Sequence, residues 1–189
     1  MGKTERTPAD DDAHRFAGRL AGARSGDPRA FEELLRWLER PVGGYLRARG
    51  ADDWEALAND VFVRAFGAID GFEGNAVQFR AWVFRIARNA LIDERRQRAR
   101  RIDTVVTVPH ELPDAGTTDH LPDHLGERDR VEALLGELTD EQREVVVLRV
   151  VGGLSVEETA EVVGRRPGAV RALQHRALAR LRRSLSHRP

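Results

Sequence analysis

Apolar residues recur along this chain at intervals of three and four, and no stretch sustains the alternation of a half-buried strand. The pattern predicts helices nearly throughout. After a polar, acidic tail (residues 1–11), residues 13–23 read as a short helix with Phe16 and Leu20 four apart. Asp27-Pro28 starts a second helix, since aspartate caps and proline at the first helical position loses no hydrogen bond. Phe31, Leu34, Leu35, Leu38, Tyr45 and Leu46 continue it, and Pro41 is expected to kink or split it. A third helix is predicted over 53–69, striped by Leu57, Val61, Phe62, Ala65 and Phe66 and broken by Gly71 and Gly74. A fourth spans 78–98. Phe79, Trp82, Val83, Ile86, Ala90 and Leu91 face inward, while Arg80, Arg85, Arg88, Arg95 and Arg96 lie elsewhere around the cylinder.

Residues 102–126 lose this periodicity and contain Pro109, Pro113 and Pro122 among scattered Asp, Thr and Gly. They read as a flexible acidic linker. Helical spacing resumes at Glu127, so the predicted architecture is all-α. Two small helical domains, over 12–101 and 127–187, flank the tether.

The sharpest local signal lies in the second domain. Thr139-Asp140-Glu141-Gln142 and Ser155-Val156-Glu157-Glu158 are capping boxes, each opening a helix. The second of these helices turns Ala160 and Val163 inward and stops at Gly164, a residue suited to a left-handed C-cap. Arg165 and Arg166 make a turn, and Pro167 opens the last helix. Val170, Leu173, Ala177 and Leu181 then form its buried stripe, leaving Gly168, Arg171, Ala172 and His175 outward, flanked by Arg176. This is a helix-turn-helix, whose second helix reads base edges while peripheral arginines grip phosphate.

Charge supports that reading over a plain helical hairpin. The formal net charge is zero, but residues 164–189 hold eight arginines and no acid. Residues 75–101 hold eight arginines against two acids, and residues 102–144 hold twelve acids against three arginines. Two basic blocks separated by an acidic middle suit a nucleic-acid binder with two contact points. Unbroken apolar runs such as Val145 to Leu148 are far too short to insert in a membrane. Cysteine is absent, which excludes disulfides and thiolate metal sites and is compatible with a reducing cytoplasm.

Three stretches carry a wider resemblance. "FEELLRWLERPVGGYLRARG", "DDWEALANDVFVRAFGAIDGF" and "FRAWVFRIARNALIDERRQRAR" are similar to successive blocks of the second conserved region of sigma-seventy-type factors. "LGELTDEQREVVVLRVVGGLSVEETAEVVGRRPGAVRALQHRALARLRRSL" resembles the fourth region. The short connector, with no third domain, matches the extracytoplasmic-function (ECF) subgroup, and the resemblance covers roughly residues 12–186. It implies a cytoplasmic factor that joins core RNA polymerase, directs it to promoter DNA and helps melt it. It also implies an anti-sigma protein as regulatory partner.

The same resemblance assigns residues. Asp60 and Arg64 match the charged contacts to the polymerase clamp helices. Asn89 falls where relatives use a polar residue near a captured base of the minus-ten element, with Arg85, Arg88, Arg95 and Arg96 holding phosphates of melted DNA. Trp82 lies in the apolar stripe, which favours packing over base stacking. Arg165, Arg166, Arg171, Gln174, His175 and Arg176 fall at the minus-thirty-five contact. Family members often carry Lys-Ser-Arg-Leu-His-Arg where this chain has Arg171-Ala172-Leu173-Gln174-His175-Arg176, so an unusual promoter sequence is expected. In the linker, Asp103, Glu111, Asp114, Asp119 and Asp123 could mimic nucleic-acid charge near the polymerase cleft, or simply solubilise a tether.

The alternatives are weaker. A stand-alone helix-turn-helix regulator would need a sensor or receiver domain in its first half, where no alternating strands or carboxylate cluster occur. An enzyme would need a catalytic motif; no P-loop, HExxH or GxSxG is present. His120 and His124 are four apart but lack a third ligand, so neither a metal nor another cofactor is expected.

Overall fold

A computed structural model describes residues 8–104 and 125–186. The described residues form eight α-helices and one 3₁₀ turn, with no strand among them. They are α1 (Pro8–Arg24), α2 (Pro28–Ala48), α3 (Trp54–Gly67), a 3₁₀ turn (Ile69–Gly71), α4 (Ala76–Thr104), α5 (Leu125–Gly136), α6 (Asp140–Val150), α7 (Val156–Val163) and α8 (Pro167–Ser186). Helix α1 begins inside the segment expected to be a tail, with a proline near its first turn and three aspartates following, the order that suits a helix N-terminus.

Helix α2 is capped by Asp27, whose side chain accepts from the Arg29 backbone N–H at 3.0 Å. Contrary to one expectation, Pro41 does not split it. An interior proline costs about 3 kcal/mol. Leu34, Leu38, Val42, Tyr45 and Leu46, however, are all buried along this helix, and each such burial contributes roughly 2 kcal/mol. Packing therefore outweighs the local defect. Asp53 caps α3 through the Ala56 N–H at 2.9 Å, and the chain turns through the 3₁₀ segment into α4.

The predicted stripe of α4 holds for Phe79, Val83, Ala90 and Leu91, whereas Trp82 and Ile86 are only half-buried. Phe84 and Ala87, outside that stripe, are fully buried. The reason is that α4 packs on two sides, against α2 and α3 and also against α7. Phe84 meets Tyr45 edge-on, with ring centroids 5.6 Å apart. On its other side lies Gly152, where an added Cβ would come within 3.1 Å of the Phe84 ring and 2.6 Å of the Leu148 carbonyl oxygen. Only glycine lets the α6–α7 turn approach so closely.

Val147, Leu148, Leu154 and Val162 consequently belong to the same core as Phe16, Leu38 and Phe79. Two smaller clusters sit within the C-terminal unit: Val145, Ala160, Val170 and Leu173 inside the helix-turn-helix, and Leu138, Val146 and Ala177 between α6 and α8. Helix α6 thus buries four consecutive residues toward three neighbours, which is why Val145–Leu148 shows no amphipathic period. The two helical units are packed on each other. Gly164 has φ 67° and its Cβ position is open, so its substitution by alanine meets only the left-handed backbone penalty. We expect Gly164→Ala to lower stability by about 1 kcal/mol, measured as a shift of the chemical-denaturation midpoint at unchanged slope.

Candidate nucleic-acid interface

Both capping boxes form as the sequence predicts. Ser155 accepts from Glu158 N–H at 3.1 Å, and Thr139 from Gln142 N–H at 3.3 Å, each with the reciprocal side-chain bond. They fix the starts of α7 and α6, and Gly164 ends α7 in the left-handed region. Pro167 then starts α8, whose Val170, Leu173 and Ala177 are buried. Arg165, Arg166, Arg171, His175 and Arg176 are exposed together along the turn and outer face. Gln174 is half-buried, within 3.4 Å of the Arg149 guanidinium, which also donates to the Leu154 carbonyl. Two of the exposed arginines rest on nearby acids: Arg165 on Glu141, and Arg171 on Glu157 at 2.8 Å. These pairs are solvated and offer phosphate little competition.

The second basic surface is α4. Arg85, Asn89 and Arg96 are exposed, and Arg96 lies 3.8 Å from Asp93. Trp82 packs on Phe72 and Phe79, with centroids 5.2 and 5.5 Å away, in keeping with the packing reading. Arg88 and Arg95 behave differently. Arg88 Nε donates to Glu144 Oε1 at 3.0 Å, and Arg95 Nη1 lies 3.4 Å from Asp140 Oδ2. Both acids belong to α6, in the other unit.

At the centre of this arrangement is Arg49, 3% exposed at the end of α2. It donates twice to the Asp140 carboxylate, at 2.8 and 2.9 Å, and once to the Asp140 carbonyl at 3.0 Å. Its second terminal nitrogen lies 3.9 Å from Glu144, and Tyr45 OH donates to Glu144 at 3.4 Å. Arg95 returns a hydrogen bond to the Arg49 carbonyl. Burial works against the Arg49 charge, but Asp140 and Glu144 together hold it more firmly protonated than usual. Hydrogen bonds from Arg49 hold the Asp140 carboxyl below the usual carboxylate range, against a smaller effect of burial. Burial, with Glu144, pushes the Tyr45 hydroxyl well up, so it stays a neutral donor. The sequence reading missed Arg49, Asp140 and Glu144. The partners are 45 to 99 residues apart, and no local motif announces such a meeting.

Asp60 and Arg64 are a one-turn ion pair on α3, 2.7 Å apart and about half exposed. Val63 beside them is 73% exposed, and Phe31 of α2, also partly exposed, stacks on Phe66 at 4.0 Å. This mixed apolar and charged face is open for a partner. Glu111, Asp114, Asp119, His120, Asp123 and His124 lie outside the described residues, as does the side chain of Asp103.

Residues 30–101 match the family described as Sigma-70 region 2, and residues 128–181 match Sigma-70, region 4. The ECF RNA polymerase sigma factor ShbA of Streptomyces griseus is 32% identical, over 92% of this chain and 96% of that protein. The chain belongs to the sigma-70 family. ECF sigma factor SigD of Mycobacterium tuberculosis is 36% identical over 86% of this sigma factor and 80% of its own length. Among solved structures, CnrH in complex with the cytosolic domain of CnrY is 30% identical with a TM-score of 0.67. It covers 93% of this chain and 99% of CnrH. The sigma factor RpoE, in complex with the anti-sigma factor NepR from Bartonella quintana, is 25% identical with a TM-score of 0.64. That match covers 84% of this chain and 98% of RpoE.

This sigma factor therefore serves transcription initiation: it binds core RNA polymerase, directs it to promoters and assists DNA melting. The presence of both regions sets it apart from a stand-alone regulator. No helix among the described residues is long and apolar enough to cross a membrane.

The depressed Asp140 carboxyl has a consequence for acid stability. Its ionised form is favoured by folding, so its contribution is complete above the unfolded carboxylate value, about 3.9. It is lost as pH falls through the lower folded value. The charges facing it are Arg49, Arg95 and Arg143. The packing of α6 on α2 should therefore persist down to about pH 4 and loosen only below. Unfolding midpoints measured against pH should show this acid limb, and Asp140→Asn should flatten it.

Proposed function

We propose that the labour of this sigma factor is divided among three surfaces. The α3 face carrying Asp60, Val63 and Arg64 docks on the polymerase. Arg85, Arg88, Asn89, Arg95 and Arg96 on α4 receive the melted minus-ten element, with arginines on phosphate and Asn89 toward a captured base. Arg165, Arg166, Arg171, Gln174, His175 and Arg176 read duplex at minus thirty-five, with Arg171 and His175 best aimed at base edges. The observation that carries this reading is the joint exposure of Arg165, Arg166, Arg171, His175 and Arg176 in the turn and on the second helix of a correctly capped helix-turn-helix.

The division corresponds to domains over 12–101 and 127–187 joined by the acidic segment 102–126. The protein carries no catalysis of its own; bond formation belongs to the polymerase. It acts in the cytoplasm, where core polymerase and promoter DNA meet. The similarity to RpoE, solved with the anti-sigma factor NepR, supports an anti-sigma partner for this chain as well.

Core polymerase supplied with this protein should give promoter-specific transcripts from a genomic promoter library. A folded protein that yields none would sink the reading. Arg171→Ala should cut initiation by roughly tenfold, the worth of one base contact, while core binding stays unchanged. Equal loss of both would contradict the assignment. Asp60→Ala should instead weaken binding to core polymerase in a direct pull-down titration and leave folding intact.

A further inference from the structure

Gln174 stands at a border on the recognition helix. Three residues after Arg171, it lies about 60° around α8 from that arginine, toward the buried stripe of Val170, Leu173 and Ala177, and it is half-buried there. A side-chain amide so placed needs a polar partner. Its partner is Arg149, in the last turn of α6, whose Nε donates to Gln174 Oε1 at 3.4 Å.

The guanidinium is held from a second direction. Another of its nitrogens donates to the carbonyl of Leu154, a buried residue immediately before the Ser155 cap of α7. A planar fork engaged at two points has little freedom to turn. Its chemistry also decides which end of the amide faces α6, because a guanidinium offers donors and no acceptor. The oxygen of Gln174 turns to Arg149, and the nitrogen lies on the arm away from it. A free glutamine reads adenine by offering both ends to one base, its oxygen to the N6 amino group and its nitrogen to N7. With the oxygen engaged by α6, Gln174 cannot present that pair to a base edge. It keeps two N–H donors.

We propose that Arg149 is a positioning residue for minus-thirty-five recognition: it fixes Gln174 as a donor, which takes an acceptor on DNA and disfavours adenine. The inference rests on the proposed minus-thirty-five assignment of α8. In the major groove the matching base is guanine, whose O6 and N7 are both acceptors, whereas adenine sets a donor beside its N7. A phosphate oxygen at the groove edge satisfies the same donors. In either case Arg149 acts through Gln174, and its removal frees the amide to turn its oxygen toward DNA.

The test uses the full chain with core polymerase and promoters randomised across the minus-thirty-five element. Gln174→Leu, which conserves volume at a half-buried site, should relax the choice of one base pair by about fivefold, the worth of one hydrogen bond. The unaltered protein should favour guanine there. Arg149→Met keeps an unbranched stem without donors, and it should move that preference toward adenine, which the loss of a purely structural residue would not do. If Gln174→Leu instead weakens every promoter alike, and one neutral methylphosphonate linkage in the DNA removes the difference, the acceptor is phosphate; Arg149→Met should then share the loss. Adenine favoured by the unaltered protein, Gln174→Leu without effect, or Arg149→Met indistinguishable from the unaltered protein overturns the proposal.

Nitrogen relaxation of the glutamine side-chain amides in the free protein tests the clamp apart from DNA. The Gln174 amide should be rigid, and Arg149→Met should make it mobile. A mobile amide in the unaltered protein also overturns the proposal. A rigid amide in a protein that shows no minus-thirty-five preference at any base pair overturns the minus-thirty-five assignment itself and leaves the clamp standing.

Discussion

Helix α4 is buried from two directions, and the rest of the molecule is arranged around that constraint. On one side Phe79, Val83 and Leu91 close the core formed with α2 and α3. On the other, Phe84 reaches between Tyr45 and Gly152 and ties the C-terminal unit to that core. A helix with two apolar sides has little circumference left for charge. Its arginines therefore stand between the two packed sides and toward its C-terminal end, Arg85 and Arg96 exposed, Arg88 and Arg95 against α6. These are the arginines proposed for melted DNA.

The ion pairs around Arg49 follow from the same packing. Bringing α6 against α2 places a guanidinium in a site with almost no water. Such a charge is destabilising unless paired and hydrogen-bonded. Asp140 meets the need with a bidentate carboxylate and its own carbonyl, at the N-terminus of α6 where negative charge also favours the helix dipole. Glu144, one turn on, gathers Arg88, Arg49 and Tyr45. Acids on one unit thus neutralise arginines on the other, two of which we propose for the minus-ten contact.

Much of the site was legible residue by residue. Caps, turn glycine and helix-opening proline announce the helix-turn-helix because their signals depend on neighbours three or four positions away. Arginine enrichment over 75–101 and 164–189 marked both basic surfaces before any fold was known. The errors fell where distant contact decided the outcome. Pro41 reads as a kink or a break, and the break is excluded because buried leucines on either side keep α2 whole. Phe84 and Ala87 read as off-stripe positions because the stripe assumes a single buried side.

By itself, the sequence determined the all-helical class, the main helix boundaries, the capped helix-turn-helix, the two basic blocks and the family. Each is a matter of local spacing or of composition along one segment. Only the tertiary structure decided that the two units lie together, that α6 buries four consecutive residues, and that Arg88 and Arg95 meet acids of the other unit. Those outcomes depend on residues 45 to 99 positions apart. Their meeting is set by shape and buried charge, and neither quantity is encoded at a fixed interval along the chain.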